Sequence, residues 1–389
     1  MDARAVSKKE FSVPKLSLGK RVAFTLVALL VPVFFFALLE GVLRVADYGD
    51  SYPLFVDAQG VEGYRVQNPE MARRYFYGQP TVPTGLQDFF TAQKSDTTLR
   101  LVVQGGSTAA GFPFYAGGAF SRMLEQRLQQ TYPDRTVEVI NTALAAVNSF
   151  TLLDIADEVL EVEPDAVLIY AGHNEYYGAL GAGSSVSLGS SPGLVRLYLR
   201  LQRLRTVQLI RDALAGVASW FGPDADDGST TLMGRMVQNE SISIDSDTYR
   251  AGLEAFEHNM SRLIAFYQAH DVPVYLSTIA SNERDQKPFV NLMANEGTAA
   301  RLAQAQQVHS RGEVQSARDL FADLDASDAL CAACSYGLAQ ASEQLGDTVS
   351  ARAAYGRARD RDGLRFRAPS ATNQIIRRLA NQAGVFLVD

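Results

Sequence analysis

Three short segments of this chain carry hydroxyl and amide side chains in a pattern suited to acyl transfer. The first is Gly105-Gly106-Ser107-Thr108-Ala109-Ala110-Gly111. The second is Asn141-Thr142-Ala143-Leu144-Ala145-Ala146-Val147-Asn148-Ser149. The third is Gly172-His173-Asn174-Glu175-Tyr176-Tyr177-Gly178. A serine at a strand-to-helix turn presents its hydroxyl, and the helix N-terminus beside it stabilises developing negative charge. An asparagine at a neighbouring strand end donates a further hydrogen bond to the same oxyanion, an arrangement that suits a covalent ester intermediate. Each segment also has a plainer reading. Gly-Gly-Ser is a common turn, Ser107 is a good helix N-cap, and Asn174 can satisfy its own loop backbone.

The elements that must position these residues follow from hydrophobic periodicity. Leu99–Gly105 is a short apolar run ending in glycines, as buried parallel strands do. Val137–Asn141, Asp165–Gly172, Val272–Thr278 and Val385–Asp389 read as four further strands. Helical spacing covers Gly118–Tyr132, Thr151–Val162, Tyr249–His270 and Thr372–Ala383. Strands separated by helices imply βαβ units, a parallel sheet and helices on both faces. In such sheets the site lies at the carboxyl ends of the strands, where all three segments fall.

Two stretches interrupt this order. Residues 184–246 hold a basic amphipathic helix, Leu194–Leu214, between Gly-, Ser- and Asp-rich ends. This is read as an insertion, with a lid or a membrane-surface helix as alternatives. Residues 296–362 contain a repeat: Gly312–Arg318 matches Gly346–Arg352, and Phe321 meets Tyr355 at the same offset of 34. That period, with glycine at the turn and alanine and an aromatic at fixed places, resembles tetratricopeptide repeats. Such repeats usually present a surface to a protein partner. Cys331 and Cys334 lie in this region. They are read as two small residues a helical turn apart, with a disulfide or redox pair as the alternative; a lone C-x-x-C is weak evidence for zinc.

Val22–Leu39 is an uncharged apolar run of about 27 Å as a helix, close to the thickness of a bilayer core. Arg4, Lys8, Lys9, Lys15, Lys20 and Arg21 precede it, which predicts a cytoplasmic N-terminus and a translocated remainder. No A-x-A-like cleavage site follows, so an uncleaved anchor is expected rather than a signal peptide. The expected organisation is therefore a basic tail (1–21), a transmembrane helix (22–46), and a linker or extension (47–98). A catalytic-type domain (99–295) interrupted at 184–246, the repeats (296–362), and a return to the domain (363–389) complete it.

With these residues in place, the three segments resemble blocks I, II and III of the SGNH/GDSL hydrolase family, directly over Arg100–Gly178 and in outline at the later strands. The wording Gly-His-Asn-Glu-x-Tyr-Gly, together with the repeats and the anchor, is similar to bacterial SGNH-like proteins that carry tetratricopeptide repeats. The resemblance implies a three-layer α/β/α flavodoxin-like parallel sheet with inserted helical hairpins. It also implies Ser107 as nucleophile and oxyanion donor, with Asn174 and the Ala146 backbone N–H completing the oxyanion hole. Gly106 replaces the family's usual aspartate, and Ala146 stands where block II has glycine, which weakens the match without abolishing it, since an alanine N–H still serves if φ is negative there. The G-x-S-x-G elbow fits less well, because position 109 is alanine. The family's Asp-x-x-His is missing: His173, His258, His270 and His309 all precede the last strand. A truncated sequence, with the histidine beyond Asp389, is therefore expected. Without that base a serine loses most of its activation.

The expected function is thus a serine esterase or O-acyl hydrolase, or an acyltransferase, acting outside the cytoplasm on an acyl ester such as one on an envelope glycan. It needs no cofactor and no metal. An inactive SGNH-like scaffold with repeats is the alternative. The formal net charge of −7 and the lack of a basic, aromatic-interleaved run beyond the N-terminus argue against nucleic acid. No phosphate loop, convincing G-x-G-x-x-G or H-E-x-x-H occurs.

Overall fold

The computed structural model describes residues 17–77, 79, 81–184, 192–218 and 241–389. Arg4, Lys8, Lys9 and Lys15 of the basic flank lie outside the described residues, as do parts of the 184–246 insertion. The chain divides into two units. One comprises Met1–Ser51 and Arg200–Asp224, the other Tyr52–Leu199 and Ala225–Asp389.

The larger unit is a mixed α/β structure built on a parallel five-stranded sheet. Its strands are β4 (Thr98–Gly105), β5 (Thr136–Asn141), β6 (Ala166–Tyr170), β7 (Val274–Ser277) and β8 (Val385–Val388). The spatial order is β5-β4-β6-β7-β8, all parallel, with Leu101 beside Ala166 and Val274 beside Val385. After β5 the chain returns past β4 to lay down β6 on its other side. The order therefore reverses at β4, the place where open parallel sheets put their binding crevice. β4 sends Val102 to one face and Val103 to the other, both fully buried, as expected of a central strand covered on two sides.

One face packs against a large core. It holds α3 (Ser149–Asp154), α4 (Ala156–Leu160), α7 (Asp247–Gln268, with Phe256, Met260, Leu263 and Ile264) and α12 (Ser370–Leu379, with Ile375 and Ile376). On the opposite face α2 (Phe120–Thr131) covers β4 and β5 through Phe120 and Leu128. Tyr275 on β7 and Phe386 on β8 stack at 5.0 Å but remain exposed. The layer expected on this face is thus incomplete over β7 and β8 among the described residues.

Residues 52–98 carry a second, antiparallel sheet of β1 (Phe55–Asp57), β2 (Tyr64–Gln67) and β3 (Phe90–Thr91). Leu54, Phe55, Met71 and Phe90 enter the large core. Arg74 clamps Glu158 of α4 through two hydrogen bonds of 2.7 Å. The expected helix at Thr151–Val162 is broken at Ile155 into α3 and α4, with the Asn148 side chain capping Phe150 N–H at 3.2 Å.

Residues 298–361 form two helical hairpins: α8 (Thr298–Ser310), α9 (Val314–Ser327), α10 (Ala332–Gln344) and α11 (Thr348–Arg361). The hairpins begin at 298 and 332, and their second helices at 314 and 348, both separated by the sequence period of 34. Gly312 and Gly346 occupy equivalent turns with φ of 83° and 81°, a left-handed conformation that glycine takes without strain. Gly337 lets α10 close on the Phe321 ring, where a β-carbon would lie 2.4 Å from Cε1. Cys331 and Cys334, both fully buried, form a disulfide. This corrects the reading of them as merely two small residues.

The smaller unit holds α1 (Leu18–Val45), a 28-residue helix long and apolar enough to span a membrane. The expected single helix Leu194–Leu214 is instead α5 (Pro192–Leu201) and α6 (Arg205–Ala218). The break has a tertiary cause: the Glu40 carboxylate of α1 accepts the Arg205 N–H at 3.1 Å, the Thr206 N–H at 2.9 Å and the Thr206 hydroxyl at 3.0 Å. It thereby caps a new helix start.

Candidate functional site

Ser107 stands just past the carboxyl end of β4, at the point where the strand order reverses. Two glycines bring the chain there. A β-carbon on Gly105 would lie 2.3 Å from the Tyr170 carbonyl oxygen and 2.5 Å from Ala109 Cβ. One on Gly106 would lie 3.0 Å from Asn174 Nδ2. The residue before the serine thus packs directly against the asparagine amide.

The turn after Ser107 is closed by Ala110 N–H to Gly106 O at 3.0 Å and Phe112 N–H to Ser107 O at 2.9 Å. No regular helix starts here, and the next α-helix begins at Phe120. The expectation of a helix N-terminus at Ser107 is therefore corrected to an isolated turn, which lacks the aligned peptides of a macrodipole. Ser107 is half-buried, and its hydroxyl makes no hydrogen bond among the described residues.

Asn174, at the end of β6, is buried. Its Nδ2 donates to Val147 O at 3.0 Å, leaving that nitrogen a second N–H. Its position depends on Gly178, where a β-carbon would lie 2.5 Å from Asn174 O. Gly172, at φ 143°, leaves no room for a side chain against Ile279 and Thr372. Both glycines of Gly-His-Asn-Glu-x-Tyr-Gly thus have steric reasons.

Ala146 is buried with φ of 58°. The negative φ on which the service of its N–H depends is therefore absent. The left-handed conformation costs an L-residue roughly 1–2 kcal/mol, and glycine would hold it more easily. The turn is held by Ala179 N–H to Ala146 O at 2.9 Å, while the Ala146 N–H has no partner among the described residues. Asn141, which opens the second segment, is fully used: it donates to Ala109 O at 2.8 Å and Ser121 Oγ at 3.0 Å and accepts Ala143 N–H. It ties the first two segments together.

No histidine bonds Ser107 among the described residues. His173 accepts the Ala368 N–H on Nδ1 at 3.1 Å and also hydrogen-bonds the Ala280 carbonyl. Burial holds its ring down to about 4, only partly offset by that carbonyl, so it is neutral and structural. His258 pairs with Arg196, His270 with Phe266 O and His309 with Gln344.

Chain comparisons add no family: no family model matches, and no curated protein is similar to the chain.

Sequence reasoning missed a buried polar chain behind Asn174. Glu175 accepts Ser149 N–H at 2.9 Å and its hydroxyl at 2.7 Å, and Asn259 of α7 donates to Ser149 Oγ at 3.0 Å. Burial pushes Glu175 up to about 7, against the two Ser149 bonds that favour its charge. The signal was present in an acidic residue followed by two tyrosines in the segment after a strand, but nothing in spacing links it to Ser149 or Asn259.

Proposed function

We propose that this protein is a serine hydrolase of the SGNH/GDSL type, anchored in a membrane and acting outside the cytoplasm on an acyl ester. A cell-envelope or extracellular glycan carrying acyl groups is the substrate class the family resemblance favours. The observation that carries the reading is the half-buried Ser107, its hydroxyl unbonded among the described residues, directly after Gly106, which lies against the Asn174 amide at the sheet's reversal point. Ser107 Oγ attacks the ester carbonyl and gives up its proton to solvent, the alcohol leaves as the tetrahedral intermediate collapses, and water then releases the acid from the acyl-serine. The oxyanion is received by the Ser107 N–H and the second N–H of Asn174 Nδ2, the Ala146 N–H dropping out because its φ of 58° is left-handed.

The strand order, which runs 2-1-3-4-5 along the chain, supports a flavodoxin-like sheet. The 34-residue offset of the hairpins supports tetratricopeptide-like repeats with a protein partner. The buried disulfide fits an oxidising compartment, and α1 fits an anchor with its N-terminus in the cytoplasm.

The test is a fluorophosphonate probe on the complete protein in detergent. Labelling of wild type, lost in Ser107→Ala, is expected. Folded protein that stays unlabelled overturns the catalytic reading. It then favours an envelope scaffold, a second reading supported by the engagement of all four histidines away from Ser107.

A further inference from the structure

Helix α6 carries an apolar stripe that no described residue of its own unit covers. Ile210, Ala213, Leu214 and Val217 recur at i, i+3, i+4 and i+7, and all four are exposed, Leu214 by 66%. The polar residues Thr206 and Gln208 are the buried ones. This inverts the usual arrangement of a helix packed on a water-soluble core.

The same helix is fastened to the end of α1. Glu40 caps its first turn through three hydrogen bonds. Farther along, the Tyr48 hydroxyl donates to Asp212 Oδ2 at 3.1 Å, and the Asp50 N–H donates to Gln208 Oε1 at 2.9 Å. Glu40 is the first charged residue after the apolar run Val22–Leu39. If that run fills the hydrocarbon core, Glu40 marks its outer edge, and everything bound to Glu40 starts at headgroup depth. Arg203 just before the helix and Arg205 and Arg211 within it add positive charge, Arg211 being paired with Asp212.

We propose that α6 is an interfacial helix that rests in the outer headgroup layer of the same bilayer, with the stripe toward the acyl chains and the arginines at the phosphates. The occupant of the apolar face is lipid rather than protein, because the Glu40 clasp holds the helix where lipid is the neighbour. Apolar burial and attraction to anionic headgroups then act together, as in amphipathic surface helices. The inference rests on the reading of α1 as a membrane span, and its test separates the two.

Full-length protein is reconstituted into phosphatidylcholine–phosphatidylglycerol vesicles with an environment-sensitive fluorophore on one introduced cysteine. Cys331 and Cys334 are paired and buried, so they do not compete for the label. Three variants are compared: Leu214→Cys on the stripe, Ala215→Cys on the far side of α6, and Leu30→Cys in the middle of α1. The Leu214→Cys label is expected to shift to the blue and to be quenched by spin labels placed near the lipid headgroups. The Ala215→Cys label is expected to be quenched by aqueous iodide. The Leu30→Cys label is expected to be quenched best by spin labels deep in the bilayer. Equal iodide quenching at positions 214 and 215, with position 30 still deep, overturns the interfacial helix alone. A position 30 label that no lipid quencher reaches overturns the span, and the interfacial helix with it.

Discussion

Glu175 shows how a single buried group ties this site to pH. Its carboxyl is raised to about 7, so between its ordinary value of 4.5 and 7 the folded chain holds a proton that the unfolded chain releases. Stability from this group is therefore complete below about 4.5 and falls as pH rises through 7, by at most about 1.4 kcal/mol per pH unit. Asp88, raised by burial to about 6, acts in the same direction; His173, lowered to about 4, acts in the opposite one. A variant isolates the Glu175 contribution. Glu175→Gln is expected to gain melting temperature relative to wild type as pH increases from about 5 to 8, and thermal unfolding across that range measures it. Parallel curves for the two proteins would remove Glu175 as the titrating group. At this scale Ser107 and Asn174 were legible because each sits in a glycine-bounded segment at a strand end. Glu175 was not, because its partner Ser149 lies 26 positions away, and Asn259, which donates to Ser149, lies 110 positions from that serine. The φ of Ala146 was not legible either, since a backbone torsion is decided by the contacts that hold the turn, here Ala179 N–H on Ala146 O.

Among elements, β4 carries the least expected feature: a charge in the middle of a buried strand. Arg100 is 1% exposed. Its Nε donates to Glu138 of β5 at 2.7 Å, its Nη1 to Val162 O at 2.8 Å and its Nη2 to Thr91 O at 2.7 Å. Glu138 in turn accepts the Thr91 N–H and hydroxyl, both at 2.8 Å. One ion pair thus joins the parallel sheet to β3 of the smaller sheet. Such a pair adds little over an apolar pair of equal volume, but removing one partner strands a buried charge. Glu138→Ala should therefore destabilise the fold by about 3–5 kcal/mol in urea unfolding, and the double variant Arg100→Met with Glu138→Leu should recover most of the loss. A cost below about 1 kcal/mol for the single variant would mean that Arg100 finds water or another acceptor. Periodicity located β4, β5 and α7 because each presents an apolar face of regular spacing. It joined α5 to α6 and α3 to α4, since apolar spacing continues across both breaks. The first break is made by Glu40, 165 residues away.

For the whole molecule, α1 makes a prediction independent of the site. Membranes from cells expressing the full chain should retain it through alkaline carbonate washing, as immunoblotting of pellet and supernatant shows; release into the supernatant is incompatible with a spanning α1. Much of this protein was settled by its amino-acid sequence alone. Alternation of apolar runs and helical spacing dictated a parallel α/β sheet, because those periods can bury their apolar sides in few other ways. The 34-residue repeat announced paired helices, and the uncharged stretch Val22–Leu39 announced a helix suited to a bilayer, since composition and length suffice for both. Tertiary structure decided the rest: the pairing of Cys331 with Cys334, the left-handed turn at Ala146, the engagement of His173 with Ala368, and the capping of α6 by Glu40. Each of these depends on which distant groups meet in space. A buried donor, acceptor or charge takes whatever partner the packing supplies, and local spacing carries no record of that partner.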